Sequence, residues 1–341
     1  MRIGVVGAGA VGGAIAALLA RLGHEVEVTA RGAHLEAIQE HGILLSGAWG
    51  EYRAQVDAGE ELTRGVELVI VATKAQDAPA AIRDNLAVLQ GIPLVVIQNG
   101  LDSITNAKKA SPRSDIVGGL ATFASSYLSP GRITVTTAGS LYLGVAAPGS
   151  DVPARYAARV LADALPTTLV PNFAGAQWTK LVINQVNALP AITGLSVQDV
   201  VAQGALRRVM TASMRENVRV GLARKVRFET LQRLSHRGLR LFSVLPLWLG
   251  QVLPALMSRR IGATPNPGST LQSIRRGQAT EIDYLNGAVV RAAQEIGMQA
   301  PVNAALVELV HEVEARQEFF TPAEVVDRID ARRSPRPATV P

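Results

Sequence analysis

The chain opens on a strand-length apolar pattern, Arg2-Ile3-Gly4-Val5-Val6, which runs directly into Gly7-Ala8-Gly9-Ala10-Val11-Gly12 and then into an Ala- and Leu-rich run from Ala14 to Leu22. That order predicts strand, turn and helix. A second strand follows at Glu25-Val26-Glu27-Val28-Thr29-Ala30, then a helix from His34 to His41. Short strand-like stretches come at Ile43-Leu44-Leu45 and from Tyr52 to Val56. By length and composition, Val66 to Ala72 and Pro93 to Gln98 read as buried parallel strands. Strand material continues at Asp115 to Gly119, Arg132 to Val135 and Ser140 to Gly144. Pro148-Gly149-Ser150-Asp151 reads as a linker-like turn before an amphipathic helix, Val152 to Leu165, and Thr167 to Val170 is the last strand. From Asn172 onward the periodicity is helical throughout: the stretch around Lys180, Ser196 to Ala202, Leu206 to Arg224, and helices beginning at Gly268, Thr280, Val302 and Thr321. The pattern predicts an α/β domain over residues 1–171, an all-α domain over 172–331 and a frayed tail over 332–341.

The chain of 341 residues is long enough for two cores, and its 48% hydrophobic content is that of a globular protein. The absence of cysteine removes thiol nucleophiles, disulfides and cysteine-ligated metals, and fits a reducing, cytoplasmic setting. Five histidines form no ligand-spaced pair, so no metal is expected. The net charge of +6 is spread in pairs such as Arg207-Arg208 and Arg275-Arg276, and aromatics are only 4%, poor material for stacking bases. These features suit an anionic cofactor and a small anionic substrate, not nucleic acid. No charge falls between Arg2 and Arg21, which imitates a signal or membrane helix, but five glycines inside that span argue for a turn.

The glycine spacing has a physical reading. In a strand–turn–helix unit, Gly7 permits the tight turn, Gly9 lets the backbone approach a pyrophosphate, and Gly12 lets the helix pack on the strand. Ala8, Ala10 and Val11 complete the loop, and the helix N-terminus offers N–H groups and its positive dipole end to phosphates. The fold expected is therefore a Rossmann-type doubly wound sheet followed by the helical domain. An NAD site places an acid about 20 residues on, at the end of the second strand. Here Thr29-Ala30-Arg31-Gly32 stands there with no acid beside Arg31 in the sequence, so Arg31 is expected to meet the 2′-phosphate of NADPH. Lys74 and Asn99 follow strands, where doubly wound sheets bind ligands, and are assigned to the cofactor cleft, Asn99 beside the nicotinamide.

In the helical domain, Lys180, Asn184 and Asn187 fall at i, i+4 and i+7, one face of a helix whose intervening residues are mostly apolar. Buried ammonium and amide groups need partners. A ligand with a carboxylate and a carbonyl is one such partner, and a snorkelling lysine beside self-satisfied amides is the other reading. Glu281 lies one turn before Leu285 on an apolar stripe with Val289, Ala292 and Ile296. It reads either as a first-turn, dipole-favoured acid or as a partner for Lys180. Leu241 to Leu256 is nearly continuously apolar but broken by Pro246 and Pro254, too short to span a bilayer. A lid, an oligomer contact or, through its basic flanks, a membrane surface would cover it.

Together these motifs resemble ketopantoate reductase (2-dehydropantoate 2-reductase), a branch of the 6-phosphogluconate-dehydrogenase-like superfamily. The resemblance runs nearly end to end: the glycine loop, Arg31-Gly32, Thr73-Lys74, Gln98-Asn99-Gly100, Trp178-Thr179-Lys180 with Asn184, Ser269 with Leu271-Gln272, and Thr280-Glu281-Ile282-Asp283-Tyr284-Leu285-Asn286-Gly287. It implies NADPH-dependent reduction of a 2-oxo acid to a 2-hydroxy acid, ketopantoate to pantoate in pantothenate biosynthesis. In such enzymes the residue matching Lys180 is the general acid, the one matching Glu281 assists it, and those matching Asn99, Asn184 and Ser269 hold the substrate. Burial lowers and Glu281 raises the pKa of Lys180, and the sequence leaves open which wins. Two positions depart from the family pattern. The second substrate asparagine, eight residues after the lysine, is Ala188 here, with Asn187 one residue earlier, and an aspartate after the Ser-x-Leu-Gln stretch is Ser273. Alternatives are a paralogue acting on another 2-oxo acid, a 3-hydroxy acid dehydrogenase, an imine reductase, or a dinucleotide-binding regulator. The assembly, a homodimer among the options, is open.

Overall fold

The computed structural model describes residues 1–63, 65–145, 151–261 and 265–333. The chain divides after Phe173 into two compact units. The first contains β1 (Arg2–Val6), α1 (Ala10–Arg21), β2 (Glu25–Thr29), α2 (Gly32–His41), β3 (Ile43–Gly47), β4 (Tyr52–Ala54), β5 (Asp57–Gly59) and β6 (Leu68–Val71). It continues with α3 (Ala78–Asp84), α4 (Leu86–Leu89), β7 (Pro93–Ile97), α5 (Ser103–Ala110), β8 (Asp115–Ala121), β9 (Ala124–Ser129), β10 (Arg132–Thr137), β11 (Leu141–Gly144), α6 (Val152–Ala162) and β12 (Thr167–Leu169). The expected turn at Pro148-Gly149-Ser150 lies outside the described residues.

An eight-stranded sheet in the order β12-β11-β8-β7-β6-β1-β2-β5 forms the core of this unit. All pairs are parallel except β8 with β11. Alternation along β1 sends Ile3 and Val5 to one apolar cluster with α1 and α6, and Val6 to the other with α3, α4 and α5. Helices therefore cover both faces, and the strand order reverses between β1 and β6, where such sheets bind nucleotides. The strand expected over Val66 to Ala72 is shorter, because Glu67 is exposed and its carboxylate accepts the Arg2 N–H at 2.9 Å.

The sequence predicts one doubly wound sheet and leaves the short strand-like stretches near Ile43 and Tyr52 without a sheet of their own. Instead β4-β3-β10-β9 form a second, four-stranded sheet. It packs on α1: a Cβ at Gly13 would stand 2.1 Å from the Cδ1 of Ile133 on β10. Phe173 closes the unit from its C-terminal end, with its ring where Gly118 on β8 has no side chain; a Cβ there would come within 2.2 Å of it.

The second unit is helical: α7 (Phe173–Asn184), a 3₁₀ turn (Gln185–Asn187), α8 (Ala188–Thr193), α9 (Val197–Ala202), α10 (Gly204–Ala223), α11 (His236–Val244), α12 (Leu247–Gly250) and α13 (Val252–Ile261). Then come α14 (Gly268–Arg275), a second 3₁₀ turn (Ile282–Tyr284), α15 (Asn286–Gln294), α16 (Pro301–Arg316) and α17 (Pro322–Arg333). The tail expected from residue 332 begins inside α17, and residues 334–341 lie outside the described residues.

A buried polar chain ties this unit together. The Gln185 Oε1 accepts from Ser213 Oγ at 2.9 Å and from Asn286 Nδ2 at 2.7 Å. Asn286 also donates to Asn303 Oδ1 at 3.0 Å, and Asn303 donates to Glu216 at 2.7 Å. Glu216 in turn accepts the Val302 and Asn303 N–H groups in the first turn of α16. Such a network, once satisfied, fixes one arrangement of the 3₁₀ turn, α10, α15 and α16. No helix among the described residues is long and apolar enough to cross a membrane.

Candidate active site

In the first unit the glycine loop is built as its spacing requires. Gly7 has φ +97, and a Cβ there would sit 2.7 Å from Thr73 Cγ2 in the loop after β6. A Cβ on Gly12 would come within 2.1 Å of the Gly7 carbonyl oxygen. Gly9 differs: a Cβ there would meet nothing within 4 Å. Its lack of a side chain leaves open space over the loop, which fits the approach of a pyrophosphate. The loop is pinned by its neighbours. The Gly7 N–H donates to Thr29 Oγ1 at 2.9 Å and the Ala8 N–H to the Thr29 carbonyl at 2.8 Å. His34 accepts the Gly131 N–H at Nδ1 (3.0 Å), so its Nε2 carries the proton and donates to the Ala8 carbonyl at 2.7 Å. His34 and the β9–β10 turn were not singled out from sequence, and only the fold brings them to the loop.

Arg31 caps the N-terminus of α2, and its side chain is 76% exposed. The sequence reading found no acid beside it. The fold supplies one, Asp84 at the end of α3, 3.5 Å away. That pair is long and solvated, so it holds Arg31 weakly. Lys74 follows β6 and Asn99 follows β7, both half-buried at carboxyl ends of parallel strands.

In the second unit Lys180 lies in the last turn but one of α7. Part of the residue's surface stays accessible, yet its ammonium is deeply enclosed. Desolvation pulls its pKa from 10.5 to about 8. Of the two readings of Glu281, the pairing with Lys180 does not form: Lys180 makes no hydrogen bond or ion pair among the described residues. Burial therefore wins the contest that the sequence left open. The preceding residues hold the helix: Thr179 Oγ1 donates to the Glu229 carbonyl at 2.7 Å, and Trp178 packs against Gly221, where a Cβ would stand 3.1 Å from the indole.

The stretch from Lys180 to Asn187 is not one α-helix. After Asn184 it tightens into the 3₁₀ turn. In a 3₁₀ helix, three residues make a full turn and rise about 6 Å, the rise that four residues make in an α-helix. Asn187 thus stands over Asn184, at the height that position 188 would hold had the α-helix continued. Both asparagines are buried. The Asn187 Nδ2 donates to the Asn184 carbonyl at 3.1 Å, and its Oδ1 accepts the Ser269 N–H at 3.1 Å. The loop before α14 is shaped for that approach. Gly268 has φ +72, and a Cβ there would lie 2.7 Å from Asn187 Oδ1. The Gly268 N–H donates to Asn266 Oδ1 at 2.8 Å, while the Asn266 N–H donates to Gln198 Oε1 at 3.0 Å. Ser269 itself is exposed.

Glu281 is half-buried but not on an α-helical stripe. It precedes the second 3₁₀ turn, and its carbonyl accepts from Tyr284 and Leu285. Leu285, at φ −101 and ψ −94, separates that turn from α15. The next helix begins at Asn286, not at Thr280, because Thr280 is held elsewhere: its N–H donates to Glu314 at 2.8 Å. Among the described residues no cluster of His, Asp or Glu could hold a metal ion.

A switch-point glycine loop with room for a phosphate, joined in one chain to an all-helical unit carrying an enclosed lysine, defines the dinucleotide-dependent oxidoreductase class. Two family models, described as "Ketopantoate reductase PanE/ApbA" and its C-terminal part, match residues 3–148 and 172–314. The chain belongs to the ketopantoate reductase family. It is 28% identical over 318 residues to the 2-dehydropantoate 2-reductase of Pyrococcus abyssi, covering 92% of this chain and 98% of the relative. The crystal structure of a PanE/ApbA family ketopantoate reductase from Ralstonia eutropha superposes with a TM-score of 0.77 at 28% identity, over 93% of this chain and 99% of that one. A ternary structure of D-mandelate dehydrogenase with NADH and anilino(oxo)acetate shares the fold, with a TM-score of 0.79 at 22% identity over 92% and 99% of the two chains.

Proposed function

We propose that the chain reduces a 2-oxo acid to the corresponding 2-hydroxy acid with NADPH, and that 2-dehydropantoate is the substrate. The observation that carries this reading is Lys180: an enclosed ammonium that pairs with no carboxylate among the described residues and has a pKa brought down to about 8. Such a group is poised both to attract a substrate carboxylate or carbonyl oxygen and to give up a proton near neutral pH. A bound nicotinamide would supply hydride, the two-electron reductant that the carbonyl carbon needs. Lys180 stabilises the negative charge developing on the carbonyl oxygen and delivers its proton there, so that oxo acid, NADPH and one proton give hydroxy acid and NADP⁺. Glu281, by its match to the family acid, assists that transfer.

Gly7 to Gly12 hold the pyrophosphate, and Arg31, turning from its weak pair with Asp84, meets the 2′-phosphate at the N-terminus of α2. By their matches to the family's residues, Lys74 and Asn99 serve the cofactor, and Asn99, Asn184 and Ser269 each serve the substrate. Asn187 takes a different part from the one the sequence suggested. Both its polar atoms are already engaged, so it acts as a positioning residue that sets the Ser269 end of α14.

The test is turnover of 2-dehydropantoate and a panel of other 2-oxo acids, followed by nicotinamide absorbance, with NADPH and with NADH. Efficient turnover of 2-dehydropantoate with NADPH is expected. Preference for another acid would overturn the substrate, preference for NADH the 2′-phosphate assignment, and no turnover with NADPH still bound the reductase reading itself.

A further inference from the structure

The segment between α10 and α14 carries a surface that the chemistry above does not use. On α11, Arg237, Arg240, Leu241 and Val244 stand at i, i+3, i+4 and i+7, one face, and all are exposed, while Leu239, Phe242 and Ser243 face inward. Trp248 on α12 is 69% exposed and Val244 72%; Leu249, Val252 and Leu256 are open beside them. On α13, Arg259 and Arg260 follow Leu256 and are exposed. The segment returns to its start: Arg260 Nη1 donates to the Gln232 carbonyl at 2.9 Å. It is a closed excursion with arginines at both feet and aliphatic and indole side chains between.

This flap is fixed on its inner side. Arg219 Nε donates to the Ser243 carbonyl at 3.0 Å, Arg215 Nη1 to the Leu245 carbonyl at 2.7 Å, and Arg207 Nε to Gln251 Oε1 at 3.1 Å. Its apolar outer residues are therefore held out by a satisfied underside. Its charge has one sign: no Asp or Glu lies between Glu229 and Glu281, an interval holding seven arginines. A two-fold pairing with a second copy would bury the same patch on both chains and bring arginine against arginine with no acid from this segment to relieve them. An apolar and indole-bearing face flanked by arginines instead matches the layered polarity of a bilayer surface, acyl carbon beneath a plane of phosphates.

We propose that the α11–α13 face docks on the surface of an anionic phospholipid membrane, with Trp248, Val244 and Leu241 entering the acyl boundary and Arg237, Arg240 and Arg259 at the phosphate level. The test uses the full chain and sucrose-loaded vesicles of phosphatidylcholine, alone or with phosphatidylglycerol. Sedimentation with the anionic vesicles only, released by salt, is expected, as is quenching by brominated acyl chains that Trp248→Phe abolishes. Replacing Arg237, Arg240 and Arg259 together by Gln should lower partitioning about 100-fold, at roughly fivefold per cation, with the circular-dichroism melt unchanged. Absence of sedimentation, or undiminished binding of the triple variant, would overturn the proposal. So would a dimer in sedimentation velocity that Trp248→Ser dissociates, which would assign the face to a second copy.

Discussion

Replacing Lys180 by Met should move stability and activity in opposite directions. Met keeps the length of the side chain and removes the charge. In the folded chain the lysine titrates near pH 8, against 10.5 for the unperturbed group. At about 1.4 kcal/mol per pH unit, the enclosed ammonium costs the folded state about 3 kcal/mol at pH 7. The sign follows from proton counting: between about pH 8 and 10.5 the unfolded chain binds more protons at this site, so wild-type stability rises with pH across that window. Below pH 8 the full penalty stands. Lys180→Met should therefore be more stable by up to about 3 kcal/mol at pH 7, with the gain shrinking towards pH 10. Urea titrations followed by tryptophan emission read this directly, since Trp178 is buried two residues away. The same variant should lose reductase turnover by roughly 10²–10⁴ while still binding NADPH. In the wild type, kcat/KM for reduction should fall above about pH 8 as Lys180 loses its proton. A variant that is less stable at pH 7, or whose advantage does not depend on pH, would mean that the ammonium has a partner after all and would refute the argument.

Other outcomes follow from the same geometry. Asn187→Ala removes two hydrogen bonds from a buried site and should cost about 1–3 kcal/mol; as a positioning change it should raise KM for the oxo acid while leaving NADPH affinity alone, and an unchanged KM would return Ser269 to independence. Gly9→Ala meets open space, so it should fold normally and lose cofactor affinity, whereas Gly12→Ala strikes the Gly7 carbonyl and should lower the melting temperature; equal melting of the two would contradict this packing. Arg31→Ala should weaken NADPH far more than NADH in paired titrations, and equal weakening would remove the 2′-phosphate contact. His311 is desolvated, but hydrogen bonds to Glu314 and Asp283 outweigh that and raise its pKa above 6.5. Its contribution to stability is complete below pH 6.5 and is lost as pH rises through the raised value, so His311→Gln should narrow the stability difference between pH 6 and pH 8.

The nucleotide loop was legible because its glycines keep a fixed local spacing: Gly7 takes a positive φ, Gly12 faces the Gly7 carbonyl, and Gly9 leaves open space for a ligand. The strand–turn–helix around Gly7 to Gly12 is local in sequence, and its burial pattern is the one its apolar spacing announces. The second sheet was not legible, since β3 finds its partner β10 about ninety residues later and its strands are short and half-exposed. Asn187 shows a different limit. A helix wheel assumes one period throughout, and no residue between Asn184 and Asn187 marks the change to a 3₁₀ turn. Asp84 reaches Arg31 only through the fold. Nothing in their residue type marks Gln185, Asn286 and Asn303 as core residues, yet all three are buried and hydrogen-bonded in one chain. The signal available was their position among core-facing apolar neighbours, as with Asn303 beside Val302 and two residues before Ala305.

The imidazole of His34 has a consequence for the first unit as a building block. Nucleotide-binding halves of this kind are treated as cassettes that can be excised, permuted or grafted with their glycine loop intact. Here the peptide between Ala8 and Gly9 is oriented by a ring whose other nitrogen answers to Gly131, on the turn between β9 and β10. A fragment ending after β7 would keep every glycine of the loop and lose the strut that aims its carbonyl. The minimal transplantable module in this lineage therefore extends through β10, and chimaeras joined earlier should bind the nucleotide poorly even where they fold.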